Sequence, residues 1–232
     1  MNGEDMSLYP IPISSRRTRR ERGNEIIEFA LLLSLLAPML LWVFINGMNL
    51  IKIIEASQVC RDIGNLYIHG VDFSTYDAQQ VATTLASGFG LQIGSSFSGN
   101  SATNDANSGN GLVIVSEIMY AGSSACSALP SGTTCTNENK YVFLQRIYFG
   151  NSSLTFNGNT VASALGTPAA TINSYGYVEN YLTDPNAVSA TAGNYITLAD
   201  TQVAYVSETF FSSPNLGFAS YPGGGVYNRT FF

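Results

Sequence analysis

The feature that most constrains this chain is an uncharged stretch of 23 residues, Phe29 to Ile51, which reads FALLLSLLAPMLLWVFINGMNLI. As an α-helix rising about 1.5 Å per residue it would be about 35 Å long, enough to cross the hydrocarbon layer of a bilayer. Pro38 lies inside the stretch, and we expect a kink or a local loosening of the helix there because proline lacks an N–H group. The sequence therefore predicts one membrane-spanning helix near the N-terminus.

A cleaved secretory signal is the competing interpretation of such a stretch. The apolar part of a signal is normally about 7 to 15 residues long and ends in a small-x-small cleavage site. No such site follows Ile51, and Val59 before Cys60 does not fit a lipoprotein box. A retained membrane helix, spanning residues 29–51, is the better explanation.

The charges are distributed asymmetrically around the predicted span. Five of the ten basic residues precede Gly23: Arg16, Arg17, Arg19, Arg20 and Arg22. By the positive-inside rule the N-terminus lies in the cytoplasm and the chain beyond Lys52 lies outside. From Asp62 onward there are ten acidic residues and three basic ones. A nucleic-acid partner is not expected, because phosphate binding requires clustered Lys and Arg.

The helical pattern continues beyond the span. Apolar residues follow Lys52 close to a helical stripe: Ile53, Ile54, Ala56, Val59, Cys60, Ile63 and Leu66. We predict one continuous helix over about residues 24–64. Its outer half should lie against the folded domain that follows.

The junction before the span places a carboxylate, Glu28, at the start of the membrane helix. An acidic side chain at the bilayer centre costs about 2.5 to 3.5 kcal/mol, and less near the surface. If the chain were cut after Gly23, the new α-amino group of Asn24 would lie four residues before Glu28, on the same helical face. At about 4 Å and an effective dielectric constant near 20, their attraction would be about 4 kcal/mol before desolvation. The amine of a neighbouring copy could serve equally and would set the register of stacked helices.

These residues resemble a known family. A basic leader, Gly23, Glu28 at the fifth position after it and Phe29 beside it resemble the prepilin-peptidase site of type IV pilins. The Glu-Phe-Ala-Leu run is similar to the TadE-like minor pseudopilins of the tight-adherence (Flp, type IVb) pilus system. The resemblance covers about residues 16–64. It implies that Gly23 and Asn24 flank the processing site, that residues 1–23 are a cytoplasmic leader that is removed, and that Glu28 and Phe29 serve assembly.

The resemblance also implies a function and a location. The chain would be a structural subunit or assembly factor of a type IVb pilus in the bacterial inner membrane, with its C-terminal domain periplasmic or extracellular. Its partners would be other pilin subunits, bound through the N-terminal helix, a prepilin peptidase, the pilus assembly platform and membrane lipid. The alternative is a permanently anchored periplasmic binding or scaffold protein, in which Glu28 is solvated and favoured by the helix dipole.

The exported domain, residues 65–232, reads as α+β. Ser74 and Asp77 at capping-box spacing, apolar Val81 and Leu85, and Gly88 as a stop predict a short helix. Residues 94–111 are polar and predict a loop. Residues 112–120 and 141–149, rich in β-branched and aromatic side chains, predict a hairpin.

Two further strands are predicted at 201–211 and 226–232, the second after the turn SYPGGG. The irregular stretch 161–200, interrupted by proline and glycine, should wrap the sheet. The predicted fold is a long transmembrane helix packed at its outer half on a small antiparallel sheet, as in pilins.

Cys126 and Cys135 lie between the two hairpin strands. An exported chain meets an oxidising compartment, so we predict a disulfide between them. In the chain-entropy model the closed loop stabilises the fold by about 2.5 to 3 kcal/mol. Cys60, the odd cysteine, is expected to be a small packed hydrophobe on the helix, with an intersubunit bridge as the alternative.

The sequence offers little catalytic chemistry. Its single histidine, His69, follows the long helix next to Gly70 and is expected in a turn. There is no phosphate-binding Gly-Lys-Ser loop, no Gly-x-Ser-x-Gly motif and no zinc signature. We therefore expect neither enzymatic activity nor a cofactor or metal site.

Overall fold

The computed structural model describes residues 18–93, 109–156, 159–212 and 225–232, with side chains from residue 25 onward except those of Phe156 and Asn159. The chain divides into one compact unit that ends at Gly47 and a second from Met48 to Phe232, so the boundary lies within the first helix. Most of the predicted polar loop 94–111 and of the turn at 220–225, and the leader before Thr18, lie outside the described residues.

Helix α1 extends from Thr18 to Ile68, without a break at Pro38. The predicted continuous helix is confirmed, but it begins before Asn24 and ends beyond Gly64. Its early start is consistent with Arg and Glu in residues 18–23, which are good helix formers. Its later end has a packing cause, because Tyr67 is buried in the domain core. The helix ends in a turn at His69 and Gly70, where Gly70 takes the positive φ that stops it.

The outer part of α1 buries one stripe against the domain, as predicted, but the stripe begins at Ala56, because Ile53 and Ile54, which the sequence pattern places on it, are 43% and 49% exposed. The stripe consists of Ala56, Val59, Cys60, Ile63 and Tyr67. Apart from Cys60, these residues share a core with side chains of the second helix and of the sheet. Their spacing of three and four residues is that of one helical face.

Helix α2, Tyr76–Gly88, ends at the predicted glycine, but its start and its buried face differ from the prediction. The N-cap is Thr75 and makes no side-chain capping bond, so the predicted capping box of Ser74 and Asp77 does not form. Instead the Asp72 carboxylate accepts the Ser74 N–H at 2.9 Å and closes the turn before the helix. Val81 is exposed, because α2 buries its small residues, Ala78, Ala82 and Ala86, against the core.

A four-stranded antiparallel sheet forms the centre of the domain. Its strands are β1 Gly111–Ala121, β2 Lys140–Gly150, β5 Val203–Ser212 and β6 Gly225–Phe231, in the order β2-β1-β5-β6. The predicted hairpin and both later strands are confirmed. The short helix α3, Ser123–Ser127, lies in the hairpin connection, and a minor pair, β3 Thr155–Phe156 and β4 Asn159–Thr160, follows β2.

The two faces of the sheet are covered by different parts of the chain. Val113, Val115 and Phe149 pack with α1 and α2 on one face. On the other face, Ile118, Phe143 and Val206 pack under the irregular stretch, which contributes Leu165, Ala170, Val178, Ala187 and Ala192. The prediction that this stretch wraps the sheet is confirmed. The fold is α+β, with a long N-terminal apolar helix and a small antiparallel sheet.

Candidate functional site

The residues of the predicted processing and assembly site all lie on α1. Gly23 and Asn24 have helical backbone, and Glu28 and Phe29 follow about one turn later with exposed side chains. Helical spacing places Asn24 and Glu28 on one face, about 6 Å apart along the axis. Among the described side chains Glu28 forms no ion pair.

The apolar stretch beyond Glu28 is uncovered in this chain. It is long and apolar enough to cross a membrane, and none of its most apolar window is buried. Two of its polar side chains form hydrogen bonds within the helix itself. The Ser34 hydroxyl donates to the Leu31 carbonyl at 2.7 Å, and the Asn46 amide donates to the Trp42 carbonyl at 2.7 Å. Such internal bonding is what a helix in hydrocarbon requires.

The first charge after the span, Lys52, is held within the second unit. Its Nζ lies 2.7 Å from the Glu55 carboxylate and donates to the Phe89 carbonyl at 2.8 Å. Phe89 is the C-cap of α2, so this lysine binds the end of one helix to the side of the other. We call these three residues the Lys52 clamp.

Both cysteine predictions are confirmed. Cys126 and Cys135 form a disulfide with Cα atoms 5.5 Å apart, linking α3 to the segment before β2. Cys60, on the buried face of α1, is fully buried, and its thiol donates to the Ser207 carbonyl at 3.2 Å. The buried position of Cys60 leaves it unavailable for a bridge to another subunit in the folded domain.

A buried ion pair in the sheet is the main polar feature that the sequence prediction missed. Arg146 on β2 and Glu208 on β5 are both fully buried, with Nη2 and Oε2 3.9 Å apart. The carboxylate accepts hydrogen bonds from the Ser163 hydroxyl, from the Ala164 N–H at 3.1 Å and from the Tyr227 hydroxyl at 2.6 Å. The pair therefore connects two sheet strands to the stretch that wraps them.

The arginine is held from three sides. Its Nη1 donates to the Ser116 hydroxyl at 3.0 Å, and its Nε donates to the Tyr148 hydroxyl at 2.7 Å. The guanidinium also lies 4.8 Å from the centre of the Phe143 ring. Nη2 has no hydrogen-bond partner, so the charge of Glu208 is its main compensation. One sequence signal could have revealed the pair, since each residue is a lone charge inside an apolar strand.

A half-buried carboxylate, Glu117, lies on the face of the sheet that α1 covers. Burial raises its pKa, and a hydrogen bond with Tyr205 opposes that shift in part. Nearby, the Tyr67 hydroxyl at the end of α1 donates to Gln145 at 2.7 Å. The end of α1 is thus joined to the sheet by polar contacts as well as by its apolar stripe.

The described residues bring together no catalytic constellation. His69 lies in the predicted turn and is exposed. Over those ranges no group of three or more His, Cys, Asp or Glu is arranged to hold a metal ion. The features of interest are therefore the uncovered helix and its junction, the Lys52 clamp and the buried ion pair.

Comparisons with models of protein families, with curated proteins and with solved structures find no match to this chain. The resemblance of residues 16–64 to the type IV pilin N-terminus therefore rests on those residues alone.

Proposed function

We propose that this chain is a minor pilin or pseudopilin of a tight-adherence (type IVb) pilus, processed by a prepilin peptidase after Gly23. The observation that carries the proposal is the uncovered apolar helix with Glu28 at its start. An exposed apolar surface of this size needs lipid or the helices of other subunits to cover it. A carboxylate at its boundary needs a positive partner, and the described side chains supply none.

Processing would create that partner. After a cut at Gly23, the amine of Asn24 lies one helical turn from Glu28, either in the same subunit or in a neighbour. Before desolvation, an attraction of about 4 kcal/mol is of the same size as the cost of about 2.5 to 3.5 kcal/mol for an acidic side chain at the bilayer centre, and that cost is lower near the surface. Glu28 then acts as an assembly residue, and Phe29 beside it contributes apolar contact area.

The helical backbone at Gly23 adds a requirement to this proposal. In this proposal the helix unwinds around residue 23 before cleavage, because helical backbone holds its peptide groups in hydrogen bonds within the helix. Glycine reduces the cost, because it is about 1 kcal/mol less favourable in a helix than alanine. The choice of glycine at this position is thus consistent with a site that opens readily.

In this proposal the chain is an inner-membrane protein with its N-terminus in the cytoplasm and its sheet domain outside. The disulfide between Cys126 and Cys135 supports an oxidising location for that domain. The partners are other pilin subunits, the prepilin peptidase, the assembly platform and lipid. We assign the chain no enzymatic activity.

Mass spectrometry after co-expression with a prepilin peptidase tests the processing step. The mature protein should begin at Asn24, and a Gly23→Ala variant should retain the leader. Gly47→Ala is the matched control, because a methyl group there contacts nothing within 4 Å, and it should be processed normally. A leader retained in the native protein would instead favour the permanently anchored scaffold. Unchanged trimming of Gly23→Ala would also contradict the proposal.

A second variant pair tests the assembly carboxylate. Glu28→Gln should abolish or sharply reduce pilus production, while leaving the protein in the membrane. Glu25→Gln is the control, because Glu25 is also an exposed carboxylate before the apolar stretch but lies one residue after the proposed terminus. Normal piliation in the Glu28→Gln strain would refute the proposed role of this charge.

A further inference from the structure

The exposed surface of α1 changes from apolar to polar beyond Lys52 and not at Lys52 itself. Ile51, Ile53 and Ile54 are between 43% and 49% exposed, so the uncovered apolar band of the span continues past the lysine. Ser57, Gln58 and Arg61 are the first exposed polar residues beyond it. The polar surface thus begins about one helical turn later than the charge pattern of the sequence indicates.

Lys52 does not oppose burial at this level, because its charge is compensated inside the fold. The ammonium group contacts the Glu55 carboxylate at 2.7 Å and the Phe89 carbonyl at 2.8 Å. Its side chain is one-third exposed and that of Glu55 is less so. A paired and hydrogen-bonded charge costs far less to place near lipid than a free one.

The end of α2 lies at the same level as Lys52. From its start near the end of α1, where Tyr67 and Phe73 pack 6.3 Å apart, α2 returns along α1 to Phe89 at the clamp. Two carbonyls of its last turn accept backbone N–H groups, in addition to the Phe89 carbonyl that accepts from Lys52. The Ala86 carbonyl accepts the N–H groups of Phe89 and Leu91, each at 3.0 Å, and the Ser87 carbonyl accepts the Gly90 N–H at 2.9 Å. A helix end without such partners would stay in water.

We propose that the phospholipid surface reaches to Ile54 and that the end of α2 lies in the headgroup layer. The Lys52 clamp then seats the exported domain directly on the membrane, with no water-filled gap at the base of α1. The inference rests on the membrane insertion assumed in the proposed function, but not on processing at Gly23. Lipid is the occupant because the exposed apolar band is continuous with that of the span, and because the charges at its edge are already paired.

The single tryptophan of the chain, Trp42, makes a direct test possible. In a Trp42→Phe background, Ile54→Trp and Gln58→Trp place the fluorophore one turn apart on exposed positions of one helical face. The full-length chain is reconstituted in vesicles of phosphatidylcholine and phosphatidylglycerol. Bromine on the phosphatidylcholine acyl chains quenches from the lipid, and iodide quenches from water. The parent chain, with Trp42 in place, serves as the reference for an embedded position.

We expect bromolipid to quench the Ile54→Trp variant, and iodide to quench that variant several-fold less than the Gln58→Trp variant. Equal iodide quenching of the two variants would overturn the inference while Trp42 of the parent chain remains quenched by bromolipid. An Ile54→Trp fluorophore that neither quencher reaches would be covered by protein, such as a second copy, and would also overturn it. If bromolipid fails to quench Trp42, the membrane insertion itself is wrong and the proposed function falls with it.

Discussion

The buried pair of Arg146 and Glu208 gives a prediction that the structure makes quantitative. We consider Arg146→Met and Glu208→Gln, each of which removes one charge and approximately preserves side-chain volume. Glu208→Gln leaves the guanidinium fully buried, with Nη2 lacking both a hydrogen bond and an opposite charge. Arg146→Met leaves a carboxylate that keeps its hydrogen bonds but loses its counter-charge.

The expected loss follows from the distance and the burial. At 3.9 Å and an effective dielectric constant near 20, the attraction between the charges is about 4 kcal/mol. Removing one member of a buried pair typically costs about 3 to 5 kcal/mol. Because a domain of this size is stable by about 5 to 15 kcal/mol in total, each single variant should lose a large part of its stability.

The double variant distinguishes a charge effect from a packing effect. Arg146→Met with Glu208→Gln buries no uncompensated charge, so its loss should be smaller than the sum of the two single losses by about 0.5 to 3 kcal/mol. Urea unfolding of the full-length chain in detergent, followed by tyrosine fluorescence and circular dichroism, measures the free energies. Lys140→Met is the control, since it removes an exposed charge from the same strand and should change stability by no more than about 0.5 kcal/mol.

Two results would refute this reasoning. Single variants that each lose less than about 1 kcal/mol would mean that the buried charges do not depend on each other. Strict additivity in the double variant would mean that the losses come from packing around each side chain separately.

Three further predictions concern the domain. Cys126→Ser with Cys135→Ser should lower the free energy of unfolding by about 2.5 to 3 kcal/mol, measured as a shift of the urea midpoint against the oxidised parent. Gly150→Ala should cost more than Gly132→Ala: both have positive φ, but only at residue 150 would the new Cβ lie 2.5 Å from a backbone carbonyl. Equal thermal shifts for these two would contradict that steric argument. Burial raises the pKa of Glu117, so the folded state holds a proton above the unfolded pKa of about 4.3, and stability falls as the pH rises through the folded value. Glu117→Gln should therefore raise the free energy of unfolding at pH 7 and flatten this dependence, and a lower midpoint at pH 7 would count against it.

The sequence predicts those elements whose cause is local. The strands β1, β2, β5 and β6 follow from runs of β-branched and aromatic residues, and the continuity of α1 follows from its apolar stripe. The start of α2 could not be predicted in the same way. The spacing of Ser74 and Asp77 suggests a capping box. In the structure the Ser74 N–H donates to the Asp72 carboxylate, and the helix begins at Tyr76.

The polar features depend on contacts between distant parts of the chain. Arg146 on β2 and Glu208 on β5 belong to strands that both pair with β1. Their side chains therefore approach each other across β1, which the sequence alone does not show. In the sequence, Lys52 marks the end of the predicted span. Its hydrogen bond to the Phe89 carbonyl could not be predicted, because α2 must first fold back along α1 to bring Phe89 close. The stretch 161–200 has no period of its own, since its apolar residues are positioned by the sheet that it covers.

The buried position of Cys60 allows its thiol to report when α1 separates from the sheet. With the other two cysteines in a disulfide, its thiol is the single one in the protein. A small alkylating reagent can reach it only when α1 separates from β5 and β6. The rate of alkylation therefore measures, without any added probe, how often α1 separates from the sheet, and comparing this rate in membranes and in detergent would show whether lipid stabilises the packed state.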